Sequence, residues 1–281
     1  MGEYSGRVAV VTGAGSGLGA AMAATFAAAG AKLALLDVDG ERAETNAAAW
    51  RERGVEAMSI RVDVADAGSL AAAADAVKAR FGSCDVVCAN VGVQQFGAIE
   101  KLTANDWSWV LSVNVVGVVN TVAAFLPLLR AAGGGRRHVV LTASSSVFVP
   151  GVRLGAYVAS KHAVVGYGEV LRLELAPEDI GVTMFFPAGM STRHLESSRL
   201  ARPAELGESK LNPEDIQVML ATREMDSSAA VAAPEHAVRN LLTELRDNRP
   251  YVISHGDYKG VVEARQHEVL AAFDRMLASP G

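Results

Sequence analysis

Residues 7–19 read RVAVVTGAGSGLG. The apolar run Arg7–Val11 stops at Thr12-Gly13, and an alanine-rich segment, Leu18–Ala29, follows and closes at Gly30. That is the pattern of a buried strand, a tight turn and a helix. Glycines in such a turn let the backbone approach a pyrophosphate, and a helix starting near Gly17 aims its free N–H groups at the anion. A glycine-rich turn alone is a weak sign. Here Asp37 ends the next apolar run twenty positions after Gly17, the spacing of a carboxylate that binds an adenosine ribose. A tight turn that holds nothing is the alternative.

Outward from this turn, strand and helix signals alternate. Further strands are expected at Lys32–Val38, Ala57–Val62, Asp85–Ala89, His138–Ala143, Val182–Phe186 and Tyr251–Ser254. Helices are expected at Glu41–Arg53, Ser69–Arg80, Trp107–Arg130, Tyr157–Leu175 and Pro234–Leu245. Seven β units separated by helices imply an α/β fold, a parallel sheet with helices on both faces, and right-handed crossovers make it doubly wound. No repeat, low-complexity linker or charge block divides the sequence, so residues 1–281 read as one domain. Residues 191–229 break the rhythm, being polar and poor in strand signal, and an insertion of that length in a tight α/β domain reads as a lid.

Several polar residues fall where strands should end. Asp63-Val64 closes the third strand and could meet an adenine edge or cap the next helix. Asn90 and Gly92 close the fourth, beside the expected dinucleotide, although an Asn there could simply hold a turn. Asn114 is an amide inside the apolar run LSVNVVGVVNTVAAFL. Asn is mildly unfavourable within a helix, which favours a water-holding side chain facing the site. Gly117, one turn later, leaves room for close packing.

Tyr157 and Lys161 lie four residues apart in AYVASKHAVVGYGEVLRLELA, on one face of an expected helix. An ammonium beside a phenol favours the phenolate. At ~5 Å and an effective dielectric of ~20 the attraction is about 3 kcal/mol, roughly two pKa units. Such a tyrosine can serve as general acid or base on an alcohol or ketone. Ser144, after the apolar run HVVLTA, could hydrogen-bond the same reacting oxygen. Alone, the pair is also what a helix with a solvated lysine would show.

Composition narrows the partners. Half of the residues are hydrophobic and only 20% charged, as in a chain with a large core. A net charge of −5 argues against nucleic acid or an acidic membrane as partner. Cys84 and Cys88 sit in one expected strand, where four residues span ~13 Å, too far to bridge. No His or Cys cluster forms a metal site, and a reducing, cytoplasmic compartment is the expectation. No targeting signal is evident, and the most apolar stretches, near 19–31 and 113–129, are short or carry Asn114 and Asn120, so no transmembrane helix is expected.

Taken together, Thr12, Gly13, Gly17 and Gly19, then Asp37, Asp63, Ala89-Asn90-Val91-Gly92, Asn114, Ser144, Tyr157 and Lys161 resemble the motifs of the short-chain dehydrogenase/reductase family, in its short single-domain branch. The resemblance covers roughly residues 5–190 and the last strand, and implies a Rossmann-like fold. It implies NAD as cofactor, held by Gly13, Ser16, Gly17, Leu18, Gly19, Asp37, Asp63, Val64, Asn90, Gly92, Tyr157, Lys161, Pro187, Met190 and Thr192. It assigns catalysis to Asn114, Ser144, Tyr157 and Lys161: Tyr157 exchanges the proton, Ser144 holds the substrate oxygen, Lys161 bonds the nicotinamide ribose, and Asn114 positions a water relaying the proton. It also implies a homotetramer built on the helices Trp107–Arg130 and Tyr157–Leu175. Ala89, Val91 and Ala188 depart from the family pattern, and Ala188 in place of Gly restricts the backbone beside Met190 and Thr192. The stretch VGVQQFGAIEK and the tail from Tyr251 are loosely similar to aryl-alkyl alcohol dehydrogenases.

The function implied is hydride transfer between NAD(H) and a secondary alcohol or ketone. Two other readings share parts of the pattern. A non-catalytic dinucleotide-binding sensor or scaffold would be expected to lack one of the four catalytic residues. An epimerase or dehydratase retaining NAD usually has a larger C-terminal lobe. Gln94, Gln95, Phe96, Phe148, Val149 and Met190 are expected to wall the substrate pocket. Arg193, His194, Arg199 and Arg202 in the lid either bind an anionic substrate or form a solvated face.

Overall fold

The structure, a computed structural model, describes residues 2–133, 137–207, 213–215, 217–218 and 231–278. Seven strands form one sheet: β1 (Val8–Thr12), β2 (Lys32–Asp37), β3 (Ala57–Arg61), β4 (Val86–Ala89), β5 (Arg137–Thr142), β6 (Ile180–Phe186) and β7 (Tyr251–Ile253). They lie in the order β3-β2-β1-β4-β5-β6-β7, every neighbouring pair parallel. The chain winds outward in both directions from β1, so a crevice opens beyond the C-terminal ends of β1 and β4, where such sheets bind ligands.

Alternate strand residues serve opposite faces. Val8, Val10, Leu36, Val87, Val139, Leu141 and Met184 pack on one side against α3 (Ala67–Phe81), α5 (Gly117–Ala131) and α6 (Gly155–Leu175). Ala9, Val11, Leu33, Leu35, Val140 and Phe185 pack on the other, against α1 (Gly17–Ala28) and α9 (Leu241–Arg246). The strands therefore read as continuous apolar runs because both sides are buried. Helix α2 (Gly40–Glu52) joins β2 to β3, with Asp39 accepting from the Arg42 amide as its cap.

Three expected elements differ. The helix placed at Trp107–Arg130 begins earlier, as α4 (Ala104–Leu111), because Thr103 and Asp106 form a reciprocal capping box. It then passes through a π-helical turn, Ser112–Val116, before α5. This rod, Ala104–Ala131, has the length and hydropathy of a membrane span, yet Val118, Val122, Phe125 and Leu129 are committed to the core. The helix placed at Pro234–Leu245 is two short ones, α8 (Pro234–Ala237) and α9. The tail forms α10 (Lys259–Ala278). Of the expected lid, the structure describes α7 (His194–Leu200) and a 3-10 turn at Ala204–Leu206; residues 208–212, 216 and 219–230 lie outside the described residues. Cys88 lies in β4 and Cys84 just before it, both buried and free.

One buried polar contact in the sheet carries a pH dependence. His138 on β5 lies 2.8 Å from the hydroxyl of Thr183 on β6, and that hydroxyl donates to the Arg249 carbonyl at 2.6 Å. The Thr183 oxygen must then accept, so His138 is the neutral Nε2–H tautomer. Burial, with the nearby Arg172 charge, depresses its pKa to about 3. The unfolded chain takes up this proton below about 6.5 and the native state does not until about 3, so stability is lost as pH falls through that window. Relative to wild type, His138→Gln should lose about 2–3 kcal/mol less stability between pH 7 and 4.5. Urea midpoints at the two pH values check this, and parallel declines would remove His138 as the cause.

Candidate active site

The cleft begins where β1, β4 and β5 end together. The Thr12 hydroxyl donates to the Cys88 carbonyl (3.2 Å) and accepts from the Asn90 amide (2.9 Å). Asn90 Nδ2 donates to the Thr12 carbonyl (3.1 Å), and the Thr142 hydroxyl donates to Asn90 Oδ1 (3.2 Å). Asn90 is thus a tie across three strand ends. Gly19 packs so closely beneath the turn that a Cβ there would lie 2.1 Å from the Gly13 carbonyl oxygen, and Gly13 itself holds φ at 68°. Ser16 occupies the N-cap of α1 without a side-chain bond, and no acid sits in the first turn. The positive end of this helix is left for an incoming anion.

The adenosine end is equally specific. Asp37 accepts from the Gly15 amide (2.8 Å) through one oxygen and the Asp39 amide (2.9 Å) through the other, leaving each oxygen further acceptor capacity. Burial pushes its pKa up, while these two backbone bonds pull against it. Arg42 pairs with Asp39 at 3.0 Å. Asp63 accepts from the Ala65 amide (2.9 Å), and Asp66 is the residue that caps α3. A Cβ on Gly117 would meet Val64 Cγ2 at 2.6 Å, so the glycine admits Val64 to the adenine end.

A cavity of about 1080 Å³ runs from this loop to the far end of the sheet. Gly13, Ser16, Gly17, Leu18 and Gly19 line one end with Asp37, Asp63 and Val64. Asn90, Gly92, Ser144, Tyr157 and Lys161 line the middle, and Pro187, Met190 and Thr192 its rim. Of the residues expected to be catalytic or to hold the dinucleotide, only Asn114 is absent from its wall. Its length, the uncapped helix and the glycine cradle fit a nicotinamide dinucleotide.

Asn114 sits behind the wall, in the π-helical turn. Its Oδ1 accepts from the Val93 amide (2.7 Å), and Nδ2 donates to the Val93 carbonyl (3.0 Å) and to Ser160 Oγ (2.9 Å). Both amide donors are thus engaged within the protein, by the loop after β4 and by Ser160, while Oδ1 keeps one further acceptor position. The loop thereby held leans over Lys161: a Cβ on Gly92 would lie 3.1 Å from Nζ.

Lys161 Nζ donates to the Thr142 carbonyl (2.8 Å) and lies 5.7 Å from the centre of the Tyr157 ring. Burial lowers its pKa to about 8. Tyr157 is pushed upward by burial, and the side chains of Ser144 and Gln94, which approach it, act in the opposite direction. The lowering of Tyr157 by Lys161 expected from helix spacing does not govern this geometry; loss of hydration outweighs it. Ser144 Oγ also accepts from the Ser146 amide (3.1 Å), fixing it at the end of β5.

Helix α7 and the turn after it are tied to the loop after β4. Ser198 Oγ accepts from the Gln94 amide (3.0 Å) and donates to the His194 carbonyl (2.7 Å). Arg202 donates to Gln95 Oε1 (3.1 Å) and pairs with Asp106 (2.7 Å), over the ring of Trp109. Arg202 is thus buried, neither a solvated cation nor an anion receptor. Arg193 pairs with Glu196 at the surface. His194 lies with its ring centre 6.3 Å from that of Tyr157, and burial, with the Lys161 charge, holds its pKa near 4, so it faces the cleft neutral. Gln94, Phe96, Val149 and Met190 wall the pocket, joined by Trp109 and Tyr258, which the sequence did not single out. Gln95 and Phe148 lie behind this wall, Phe148 against Phe186 and Tyr258. The loop Pro187–Met190 is clamped from β7's end: the Ala188 amide donates to Ser254 Oγ (3.1 Å), and His255 Nε2 reaches the Gly189 carbonyl (2.9 Å).

A lysine pKa lowered from 10.5 to about 8 means that the folded chain holds the proton less tightly than the unfolded one. Between those values stability rises with pH, and at pH 7 the buried charge costs about 3 kcal/mol, of which the Thr142 bond is already a part. Lys161→Met should therefore raise the thermal midpoint of the cofactor-free protein at pH 7 by a few degrees and narrow the gap at pH 10. A lower midpoint at pH 7 would show that Lys161 stabilises the fold instead.

Comparison with known proteins agrees with this geometry. A family model described as short chain dehydrogenase matches residues 7–203. The C alpha-dehydrogenase of Sphingobium sp. strain SYK-6 is 32% identical over 283 aligned positions, covering 100% of this chain and 90% of that protein. A short chain dehydrogenase/reductase from Burkholderia phymatum, solved in complex with NAD, superposes with a TM-score of 0.87 at 30% identity, over 97% of each chain. A short chain dehydrogenase from Burkholderia cenocepacia, solved in complex with NADP, superposes with a TM-score of 0.76 at 26% identity, over 91% of this chain and 98% of that one. The protein is an oxidoreductase of the short chain dehydrogenase family, whose fold binds a nicotinamide dinucleotide.

Proposed function

We propose that this chain, acting as one domain, catalyses NAD(H)-dependent interconversion of a secondary alcohol and its ketone. The observation that carries this is the convergence of Tyr157, Ser144 and Lys161 on one wall of a cleft whose other end is a glycine cradle. The dinucleotide supplies the hydride acceptor and, when oxidised, a positive charge. Ser144 Oγ holds the substrate oxygen, and Tyr157 takes the hydroxyl proton in the oxidative direction. Lys161, cationic at neutral pH and oriented by the Thr142 carbonyl, would hold the nicotinamide ribose, and its charge, added to that of the oxidised dinucleotide, would work against the burial that raises Tyr157. Asn114 fixes the Val93 loop and Ser160, and thereby the wall against which Tyr157 rests. The substrate side of the cleft is lined by Phe96, Trp109, Val149, Leu154 and Tyr258, with the cations Arg193 and Arg202 already paired, which suits a bulky, uncharged alcohol. Exposed Val116, Val119, Val170 and Leu173 on the π-helical turn, α5 and α6 support assembly as a homotetramer through those helices. Two free, buried thiols suit a reducing, cytoplasmic setting.

Tyr157→Phe removes the group that accepts the proton, and turnover should fall ~10²–10⁴-fold with dinucleotide affinity nearly unchanged. Steady-state rates and fluorescence titration with NADH check both halves. A variant retaining more than about a tenth of wild-type turnover would give the proton step to another group.

Asp37 sets the choice of cofactor. A 2′-phosphate of about −2 charge at ~5 Å from the carboxylate, with an effective dielectric of ~40, is repelled by roughly 3 kcal/mol. Arg42 is engaged with Asp39 and so is a poor counter-ion. NAD should exceed NADP by at least ~10-fold in kcat/KM, and Asp37→Ser should shrink that ratio. Equal use of both by the wild-type enzyme would refute the role of Asp37.

A further inference from the structure

Tyr157 has a neighbour that the proposed proton transfer does not use. The ring of His194, at the start of α7, has its centre 6.3 Å from that of Tyr157 and its plane tilted by 60°, the spacing of rings in contact. It lines the same cleft. Among the described residues neither ring nitrogen has a hydrogen-bond partner, and neither is sealed from the cleft. A neutral imidazole carries one donor and one acceptor. Burial, with the Lys161 charge, keeps this one neutral. Both capacities therefore stay open beside the phenol.

The ring's place is nonetheless fixed. The His194 amide donates to Thr192 Oγ1 (3.3 Å), and its carbonyl accepts from Ser198 Oγ (2.7 Å). The same Ser198 oxygen, which is buried, accepts from the Gln94 amide (3.0 Å). Gln94 in turn approaches Tyr157 from the loop after β4. His194 and Gln94 are thus locked to each other around one phenol. A histidine that served the fold would bond to it through its ring, whereas this one is held through its backbone. Unspent polar atoms at a fixed position in an otherwise apolar pocket are what orients a ligand.

Building on the alcohol–ketone reading above, we propose that His194 is a substrate-binding residue that selects alcohols carrying a second, neutral oxygen, a hydroxyl or an ether, on the carbon next to the carbinol. Ser144 and Tyr157 hold the reacting oxygen, and the imidazole bonds the second one. Its N–H donates to either kind of oxygen, and its other nitrogen can accept from a hydroxyl. Two bonded points fix which face of the carbinol carbon meets the dinucleotide, where a single point would leave it free to turn. An anionic group is a poorer fit, since Arg193 beside it is spent on Glu196 and the neutral imidazole offers no charge. A cationic group would be repelled by Lys161.

Matched alcohols test this: methyl phenyl carbinol, phenyl glycol, and phenyl glycol methylated at its primary oxygen, each with NAD and with NADP. In wild type, kcat/KM for the glycol and its ether should exceed that for the plain carbinol by ~10-fold, the upper range for one hydrogen bond. His194→Phe, which keeps a ring but no nitrogen, should bring that ratio towards one. His194→Gln restores a neutral donor and acceptor and should recover part of it. Thermal midpoints check that both variants fold, and fluorescence titration should give them the NADH affinity of wild type. If His194→Phe weakens NADH binding and leaves the ratio unchanged, His194 belongs to the dinucleotide site and the proposal fails. If the ratio persists with NADH affinity intact, the second oxygen is read elsewhere and the proposal again fails. Equal rates with the three alcohols in wild type overturn the proposal but leave the alcohol–ketone reading standing. Oxidation of none of them, with either dinucleotide, removes that reading and the proposal with it.

Discussion

The ammonium of Lys161 is held out of water with a neutral carbonyl, that of Thr142, as its hydrogen-bond partner. A cation in that setting survives only if the surrounding wall is fixed, since any loosening would let it hydrate and swing away. The wall is fixed from three sides. The tie from Thr12 through Asn90 to Thr142 aligns the strand ends and so places the carbonyl. Asn114 clamps Val93 and with it Gly92, whose missing side chain leaves the space above Nζ. Helix α6 brings Tyr157 and Lys161 to the same face, with Ser160 bonded to the Tyr157 carbonyl and to Asn114. Stability is sacrificed at this point to obtain a poised charge, and the two faces of the sheet supply the burial that offsets it.

Much of this was legible in the sequence, for local reasons. Strand periodicity, the glycines around Thr12 and the twenty-residue interval to Asp37 are short-range features, and they sufficed for the sheet and the dinucleotide end. Asn114 drew notice because an amide is out of place in an apolar helix, but its partners at Val93 and Ser160 are distant in sequence and nothing local announces them. Arg202 shows the limit more sharply. Among neighbouring charges it looked like a solvated or anion-binding cation, while its role depends on Asp106 and Trp109, brought to it only by folding. Some signals were present but unread: Thr103 and Asp106 spell a helix start, and the apolar residues within 262–277 have plain helical spacing.

The two consecutive glutamines after β4 connect the α7 segment to the wall that carries Tyr157. The Gln94 amide is held by Ser198 of α7 while its side chain approaches Tyr157, and Gln95 is held by Arg202. A single residue thus touches both α7 and the phenol. Of the cations around α7, Arg193 pairs with Glu196 within the helix, and Arg202 anchors the segment to Asp106 and Gln95.

The π-helical turn at Ser112–Val116 can be regarded as one residue too many, accommodated without breaking the rod. Upstream, Trp109 and Val110 face the cleft and the small cluster beside it; downstream, Val118, Val122 and Phe125 face the sheet. A regular helix would turn one set away from its target by about 100°. The extra residue is the joint that lets a single rod serve two surfaces, with Asn114 at the joint itself. A one-residue deletion here would detach the substrate wall from the sheet in a single step, so the length of this rod is as much a part of the fold as the residues it buries.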